Sequence, residues 1–193
     1  MDQLILASSS PRRHQLLAEA GYVFETVIPA VDETQLPSET ASVFALRIAE
    51  EKALRVVRER AITVAADTIV VYAGQAMGKP RDATQAVAML RLLSGEPHEV
   101  MTGWALASTT GIVSSGVETT HVTFRKLSAN EIDSYVAGGE PLDRAGAYAI
   151  QGGAGRFVAA IDGSYSNVMG LPMETVTVAL ALAGVEPMDG PAP

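Results

Sequence analysis

Residues 4–17, LILASSSPRRHQLL, predict a strand that runs directly into a helix. The apolar run from Leu4 to Ala7 is typical of a short buried strand. Ser10 then offers an N-cap side chain, and Pro11 has the fixed backbone angle that favours the first turn of a helix. We therefore predict a helix that begins at Pro11 and ends near Gly21.

Polar groups at the start of this helix are suited to phosphate oxygens. A helix N-terminus carries free N–H groups and a partial positive charge. Ser8 and Ser9 add hydroxyls there, and Arg12 and Arg13 add guanidiniums. Two interpretations stay open from this stretch alone: a site for a polyphosphate, or serines that cap the helix beside solvated arginines.

The composition is that of one globular chain, and it excludes several classes of function. The 193 residues are 48% hydrophobic and 19% charged, which is typical of a soluble protein with a substantial core. A net charge of −8 argues against a broad surface for nucleic acid or anionic membranes. The lack of cysteine excludes disulfides and thiolate catalysis. With no leader and no long apolar run, the sequence predicts a cytoplasmic protein.

The next segments continue an α/β pattern. Residues 22–28 predict a second strand, and residues 29–37 predict a loop with two prolines and two adjacent acids. Residues 38 to about 60 predict a long amphipathic helix. Its apolar face is predicted from side chains that recur at helical spacing: Val43, Leu46, Ala49, Ala53 and Val57. Lys52 borders this face, and the simplest interpretation is a surface lysine whose stem lies on apolar neighbours.

Asp67 interrupts the most apolar stretch of the chain. Residues 62–72, ITVAADTIVVY, predict a strand that is covered on both faces. A carboxylate inside such a strand is costly unless it is paired, hydrogen-bonded or bound to a metal. The two interpretations are a functional acid and a buried residue that caps a neighbouring turn. We favour the functional acid, because buried ionisable groups concentrate at sites.

The rest of the chain predicts further strands and helices joined by polar turns. Their predicted bounds are a turn at 73–76, a helix from Asp82 to about Leu93, strands at 99–107 and 112–124, a helix at 128–136 with a Ser128 and Glu131 capping box, a strand at 156–161, a polar loop at 162–172, a helix at 173–183 and a frayed tail at 186–193. His98 and His121 lack partners at metal-ligand spacing and are interpreted as ordinary strand residues.

Two side chains in these later segments are candidate site residues. Lys79 stands between Gly78 and Pro80, which fix the backbone around it, although turn lysines without a role are common. Gln151 lies in a segment rich in small residues, 141–155, as needed where backbone approaches a ligand or another backbone, and its amide offers both a donor and an acceptor for a base edge. Ordinary turn chemistry is the alternative for Gln151.

Six motifs in the same order along the chain resemble those of the Maf family of nucleoside triphosphate pyrophosphatases. They are ASSSPRR at 7–13, ADTIV at 66–70, GKP at 78–80, LSG at 93–95, AGAYAIQG at 145–152 and GSYSNVMGLP at 163–172. The resemblance implies a mixed twisted sheet flanked by helices, with two lobes around a cleft, similar to inosine triphosphate pyrophosphatases. It also implies one domain over residues 1–185, followed by a flexible tail at 186–193.

The resemblance implies hydrolysis of a nucleoside triphosphate to the monophosphate and pyrophosphate, with a divalent metal such as Mg²⁺ or Mn²⁺. The residues that match the family's catalytic, metal-binding and substrate-binding positions are Asp67, Glu33, Lys52 and Lys79 for catalysis, Glu33 and Asp67 for the metal, and Ser8 and Arg13 for the substrate. Arg12, Thr68 and Gln151 match the specificity positions of the branch that acts on dTTP and UTP. Modified pyrimidine nucleotides are further expected substrates, and the resemblance is compatible with a homodimer.

A second hypothesis comes from a different class of function. The family's name reflects an association with septum inhibition, so the chain could bind nucleotides as a regulator of cell division without turnover. Nucleic-acid binding is disfavoured by the acidic charge and by the lack of an aromatic platform.

Overall fold

The computed structural model describes residues 3–188, in which strands and helices alternate through much of the chain. The strands are β1 (Gln3–Ala7), β2 (Phe24–Val27), β3 (Ala61–Tyr72), β4 (Gln75–Met77), β5 (Pro97–Ser108), β6 (Gly111–Phe124) and β7 (Val158–Asp162). The α-helices are α1 (Pro11–Glu19), α2 (Ala41–Arg55), α3 (Ala83–Leu93), α4 (Ala129–Ala137), α5 (Tyr165–Met169) and α6 (Met173–Leu182). Short 3₁₀ turns lie at Glu140–Asp143, Ala145–Ala147 and Gly153–Phe157.

Seven strands of the described chain form one mixed sheet. Their order is β2-β1-β3-β5-β6-β7, with β4 paired to β3 outside that path. β1 is parallel to β2 and to β3, whereas the β3–β4 and β6–β7 pairs are antiparallel. The parallel pairs need crossover connections, and α1 and α2 provide them. The predicted α/β class with a mixed sheet flanked by helices is confirmed.

The chain divides into two compact units. The first unit consists of residues 3–67, 102–118 and 170–188. The second unit consists of residues 68–101 and 119–169. The division between residues 67 and 68 falls within β3, so Asp67 is the last residue of the first unit at that point.

Small side chains form the core of the first unit beneath α2. A buried alanine cluster joins β1, α2, β3 and β5 through Ala7, Ala49, Ala53, Ala65, Ala105 and Ala107. A Cβ on Gly103 would lie 2.3 Å from the backbone of Ala45, so the helix and β5 approach each other more closely than a side chain allows. This close packing fixes α2 on the sheet.

The predicted face and limits of α2 were wrong in part. Thr40 caps the helix through its hydroxyl, which accepts from the Val43 N–H, so the helix starts later than predicted. Val43 is 53% exposed, and the buried face consists of Ala45, Ile48, Ala49, Lys52 and Ala53. The face of α2 with small alanine side chains packs on the sheet, because it permits the closest approach of the helix to the strands. Lys52 lies on the same face and is therefore buried.

Local signals in the second unit were largely confirmed. Asp82 caps α3 by accepting from the Gln85 N–H, and Ser128 and Glu131 form the predicted capping box of α4. The turn between β3 and β4 has positive φ angles at Ala73 and Gly74, as a tight hairpin requires.

Two predictions near the C-terminal end of the second unit were wrong. The predicted strand at 156–161 begins only at Val158, because Gly153–Phe157 forms a 3₁₀ turn. The predicted loop at 162–172 contains the short helix α5, whose Asn167 N–H is capped by the Ser164 hydroxyl. Each of these two elements has only five residues, which is too few for a clear periodic pattern.

The described end of the chain lies against the first unit. The Met188 N–H donates to the Gly21 carbonyl at 3.0 Å, so residues 186–188 of the predicted tail are anchored there. Residues 189–193 of that predicted tail lie outside the described residues. The single-domain boundary at residue 185 stays a prediction. Within residues 3–188 no helix is both long and apolar enough to cross a membrane.

Candidate active site

Lys52 bridges two carboxylates in the first unit. Its Nζ lies 2.8 Å from Oδ1 of Asp67 and 2.7 Å from Oε1 of Glu33. The Lys52 side chain is only 9% exposed, so its interpretation as a surface lysine was wrong. The ammonium explains how Asp67 is accommodated in a buried strand, because a buried carboxylate needs a paired cation or hydrogen-bond donors.

Arg13 and Ser8 lie beside this carboxylate pair at the start of α1. The Arg13 Nε donates to the Gly170 carbonyl at 2.7 Å, and its Nη1 donates to the Ser8 hydroxyl at 3.3 Å. Burial lowers the pKa of the Arg13 guanidinium, while the charges of Asp67 and Glu33 act in the opposite direction. Arg13 therefore lies within electrostatic reach of both acids.

The side chain of Ser10 does not cap α1 as predicted. Ser10 occupies the N-cap position of α1, but its side chain makes no cap hydrogen bond. The Ser8 hydroxyl instead accepts from the Ser10 N–H at 3.1 Å, and Ser8 is buried. Arg12, in the first turn of α1, is half-buried. Ser8 rather than Ser10 is thus the hydroxyl that organises this end.

We call these five residues the Lys52 cluster: Ser8, Arg13, Glu33, Lys52 and Asp67. The cluster contains two cations and two anions, so its formal charge is balanced. A triphosphate carries several negative charges, and a balanced cluster needs additional positive charge to hold one. That charge has to come from other cations or from a metal ion.

The carboxylates of the Lys52 cluster are donors of the kind that a divalent cation requires. Glu33 and Asp67 supply hard carboxylate oxygens, which Mg²⁺ and Mn²⁺ prefer. Across residues 3–188 no group of three or more His, Asp or Glu side chains could hold a metal ion. Two carboxylates suffice for Mg²⁺ when substrate phosphates and waters complete its shell. Glu33 and Asp67 therefore fit as two carboxylate ligands of such a cation.

Three other predicted site residues, Lys79, Thr68 and Gln151, lie in the second unit, whereas Arg12 lies in the first. Lys79 is exposed, and its Nζ pairs with Oδ1 of Asp143 at 2.5 Å. Thr68 is half-buried and directly follows Asp67 in β3. Gln151 is exposed. The assignment of Lys79, Thr68 and Gln151 to the same site as the Lys52 cluster stays a prediction.

The glycine-rich segment before Gln151 packs against β3. The Gly146 N–H donates to the Gly78 carbonyl at 3.2 Å, beside Lys79 in the sequence. Gly146 has φ +65°, and a Cβ there would lie 2.9 Å from the Val70 side chain. The small residues that looked suited to a ligand therefore also serve backbone packing inside the second unit.

Buried aromatic side chains anchor the same segment. The Tyr148 hydroxyl lies 2.9 Å from Nε2 of His98, and the Ala149 N–H donates to the Tyr135 hydroxyl at 3.2 Å. Burial lowers the pKa of His98 to about 4 and raises the pKa of Tyr135 to about 12. His98 is thus a neutral structural residue at pH 7, as its interpretation as a strand residue anticipated.

Sequence reasoning missed two partners of the predicted residues. The Gly170 carbonyl meets Arg13 although the two residues are 157 positions apart in the chain. Gly170 has φ +114°, which signals a turn but not what the turn contacts. Asp143, the partner of Lys79, precedes the glycine-rich segment and carried no signal of its own.

Comparisons with known proteins place this architecture in a family. Residues 3–183 match the model of the family described as Maf-like protein. A dTTP/UTP pyrophosphatase of Salmonella typhimurium is 50% identical over 176 residues, which cover 90% of this chain and 89% of that protein. A dTTP/UTP pyrophosphatase of Escherichia coli O157:H7 is 49% identical over 176 residues, which likewise cover 90% of this chain and 89% of that protein.

One solved structure is also similar over most of its length. It is a nucleoside-triphosphatase, or dITP/XTP pyrophosphatase, of Mycobacterium abscessus, with 15% identity, 94% of this chain and 96% of that chain covered, and a TM-score of 0.43. A similarity of that size does not by itself establish a shared fold. The family match over residues 3–183 and the relatives at about half identity do establish the family, and the chain belongs to the Maf-like proteins.

Proposed function

We propose that this chain hydrolyses dTTP and UTP, and modified pyrimidine nucleotides related to them, to the monophosphate and pyrophosphate. The observation that carries the proposal is the Lys52 ammonium, which holds Asp67 and Glu33 at 2.8 and 2.7 Å beside Arg13. The dTTP/UTP pyrophosphatase names of relatives at 50% and 49% identity support the substrate class.

In this proposal water attacks the α-phosphorus of the nucleotide. A bond forms between the water oxygen and that phosphorus, and the bond from phosphorus to the oxygen bridging to the β-phosphate breaks. Pyrophosphate leaves with the bridging oxygen, and Asp67 accepts the proton of the attacking water. A carboxylate has two oxygens, so Asp67 can also hold a cation while it orients the water.

The remaining proposed residues bind and orient the substrate. Arg13 and Lys79 offset the negative charge that phosphates carry and develop during the reaction. The Ser8 hydroxyl is a further polar group at the start of α1, where backbone N–H groups favour anions. Lys52 holds the two carboxylates in place, since it hydrogen-bonds Asp67 and pairs with Glu33.

We propose Glu33 and Asp67 as the protein ligands of a divalent cation, Mg²⁺ or Mn²⁺. When bound, such a cation would offset phosphate charge and polarise a phosphoryl oxygen. Arg12, Thr68 and Gln151 are proposed to set base preference. The alternative of a regulator of cell division that binds nucleotides without turnover gains no support from the comparisons.

A nucleotide panel tests the proposed reaction. The protein is incubated with Mg²⁺ or Mn²⁺ and dTTP, UTP, CTP, dATP or dGTP, and pyrophosphate and orthophosphate are measured separately. We expect pyrophosphate from dTTP and UTP, with kcat/KM at least about 10-fold above the other nucleotides. Release of orthophosphate instead, or no turnover of any nucleotide, would contradict the proposal.

A further inference from the structure

Two arginines of α2 hold the loop that carries Glu33. The Arg55 Nε donates to the Ala30 carbonyl at 3.0 Å, and the Arg47 Nη2 donates to the Thr34 carbonyl at 3.0 Å. We propose that Arg47 and Arg55 are positioning residues that clip this loop to α2 and thereby place Glu33 for its role. This inference rests on the proposed function of Glu33, although the clip itself can be tested without it.

The three contacts between α2 and the loop occur in opposite order along the two segments: the contact nearest the start of α2 is the last one along the loop. Lys52, which pairs with Glu33, lies between the two arginines in α2, just as Glu33 lies between their two acceptors in the loop. From Arg47 to Arg55 the helix rises about 12 Å. The four loop residues that follow Ala30 can span at most about 14 Å. The loop can therefore run antiparallel to the helix with all three contacts made at once.

Arg47 is itself held rigidly. Its Nε and Nη2 reach the two carboxylate oxygens of Glu39 at 2.5 and 3.0 Å, and its Nη1 reaches Glu51 at 3.0 Å. These ion pairs raise the pKa of Arg47 and lower that of Glu39. Glu39 also accepts from the Leu36 N–H at 2.8 Å. A guanidinium fixed by two carboxylates loses little further freedom when it binds the Thr34 carbonyl.

Polar contacts rather than apolar packing hold this part of the loop. A pocket of about 350 Å³ is lined by loop residues 30–32 and by residues 51, 54 and 55 of α2. Asp32 and Glu33 are exposed. The arginine hydrogen bonds, together with the pair of Lys52 and Glu33, are therefore the contacts that hold the loop to the helix at this point.

The first test asks whether the clip exists in solution. Cleavage after Glu33 by a glutamate-specific protease is followed by mass spectrometry in the wild type, Arg47→Ala and Arg55→Ala. Arg58→Ala is the matched control, because Arg58 pairs with Glu25 rather than with the loop. We expect cleavage at Glu33 to be about 10-fold faster in both loop variants, since local opening exposes the bond. Wild-type cleavage rates in Arg55→Ala, which removes a single backbone contact, would overturn the clip.

The second test asks whether the clip acts through Glu33. We expect Arg47→Ala and Arg55→Ala each to lower kcat/KM for dTTP about 10-fold, because small displacements of site residues are costly. In a Glu33→Gln background the same changes should cost less than about 2-fold, as coupled residues are non-additive. Equal losses in both backgrounds would overturn the positioning role. A wild-type protein without pyrophosphatase activity would refute the proposed function. The proteolysis result would still show whether Arg47 and Arg55 hold the loop on α2.

Discussion

The ammonium of Lys52 lies 2.8 Å from Oδ1 of Asp67, in the middle of a strand that is otherwise almost entirely buried. Burying a carboxylate in such a strand is unfavourable, and the buried lysine offsets that cost only while the pair stays intact. The pair is therefore a structural requirement of β3 as well as the proposed centre of the site.

Replacement of Lys52 should destabilise the protein. Lys52→Met keeps the side-chain volume but leaves Asp67, whose side chain is only 15% exposed, without its cation. We expect the free energy of unfolding to fall by about 2 kcal/mol, less than for a fully buried pair because Asp67 keeps some contact with solvent and Glu33 is largely exposed. Denaturant titration at pH 7 measures the change, with Lys126→Met at an exposed position as the control. Equal stability of the two variants would refute a structural role for the pair.

The stability of the second unit should depend on His98. Burial lowers the His98 pKa from 6.5 to about 4, so between those values the unfolded chain binds a proton that the folded chain excludes. The free energy of unfolding should therefore fall as the pH drops from about 6.5 to about 4.

The His98→Gln variant isolates this effect, because glutamine can still bond the Tyr148 hydroxyl but does not titrate. We expect the wild type to lose about 3 kcal/mol more than the variant over that pH range. Denaturant titrations at a series of pH values provide the comparison. Parallel stability curves for the two proteins would contradict the assignment.

The contact between α2 and β5 should not tolerate a side chain. In Gly103→Ala the new Cβ would lie 2.3 Å from the Ala45 backbone, which belongs to a packed helix and cannot easily move. We expect a loss of about 3 kcal/mol or failure to fold. Gly78→Ala is the control, because a Cβ there meets nothing within 4 Å. A melting temperature unchanged from wild type in Gly103→Ala would show that the helix can shift.

Base preference should respond to Arg12. A guanidinium only donates hydrogen bonds, which suits the carbonyl at position 4 of uracil and thymine but not the amino group of cytosine. We expect Arg12→Ala to lower the ratio of kcat/KM for dTTP over CTP about 10-fold. Arg91→Ala, at an exposed position of α3, serves as the control. An equal loss for both nucleotides would indicate that Arg12 contacts phosphate instead.

Local signals in the sequence were sufficient for part of this architecture. The buried strand at Leu4–Ala7 and the capping box at Ser128 depend on neighbouring residues, and both were predicted. Asp67 was recognisable because a carboxylate within an apolar strand needs a compensating partner. Such features are visible without any knowledge of tertiary contacts.

Other features depend on packing that the sequence does not display. The apolar periodicity of α2 predicted Val43 on the buried face and Lys52 at its border. In the structure the face of α2 that packs closely at Gly103 includes Lys52, and Val43 is exposed. The Gly170 carbonyl meets Arg13 only after the chain has returned to the first unit. Helix α5 has only five residues, which is too few for a periodic apolar pattern.

The most direct test of the central claim compares pyrophosphate release from dTTP by the wild type and by Asp67→Asn. Asp133→Asn, which changes an exposed acid of α4, is the matched control. Circular dichroism and thermal unfolding establish that both variants are folded before rates are compared. We expect Asp67→Asn to lower kcat by at least about 100-fold and Asp133→Asn to leave it unchanged. A folded Asp67→Asn protein that releases pyrophosphate at the wild-type rate would contradict the proposed role of Asp67 and of the Lys52 cluster around it.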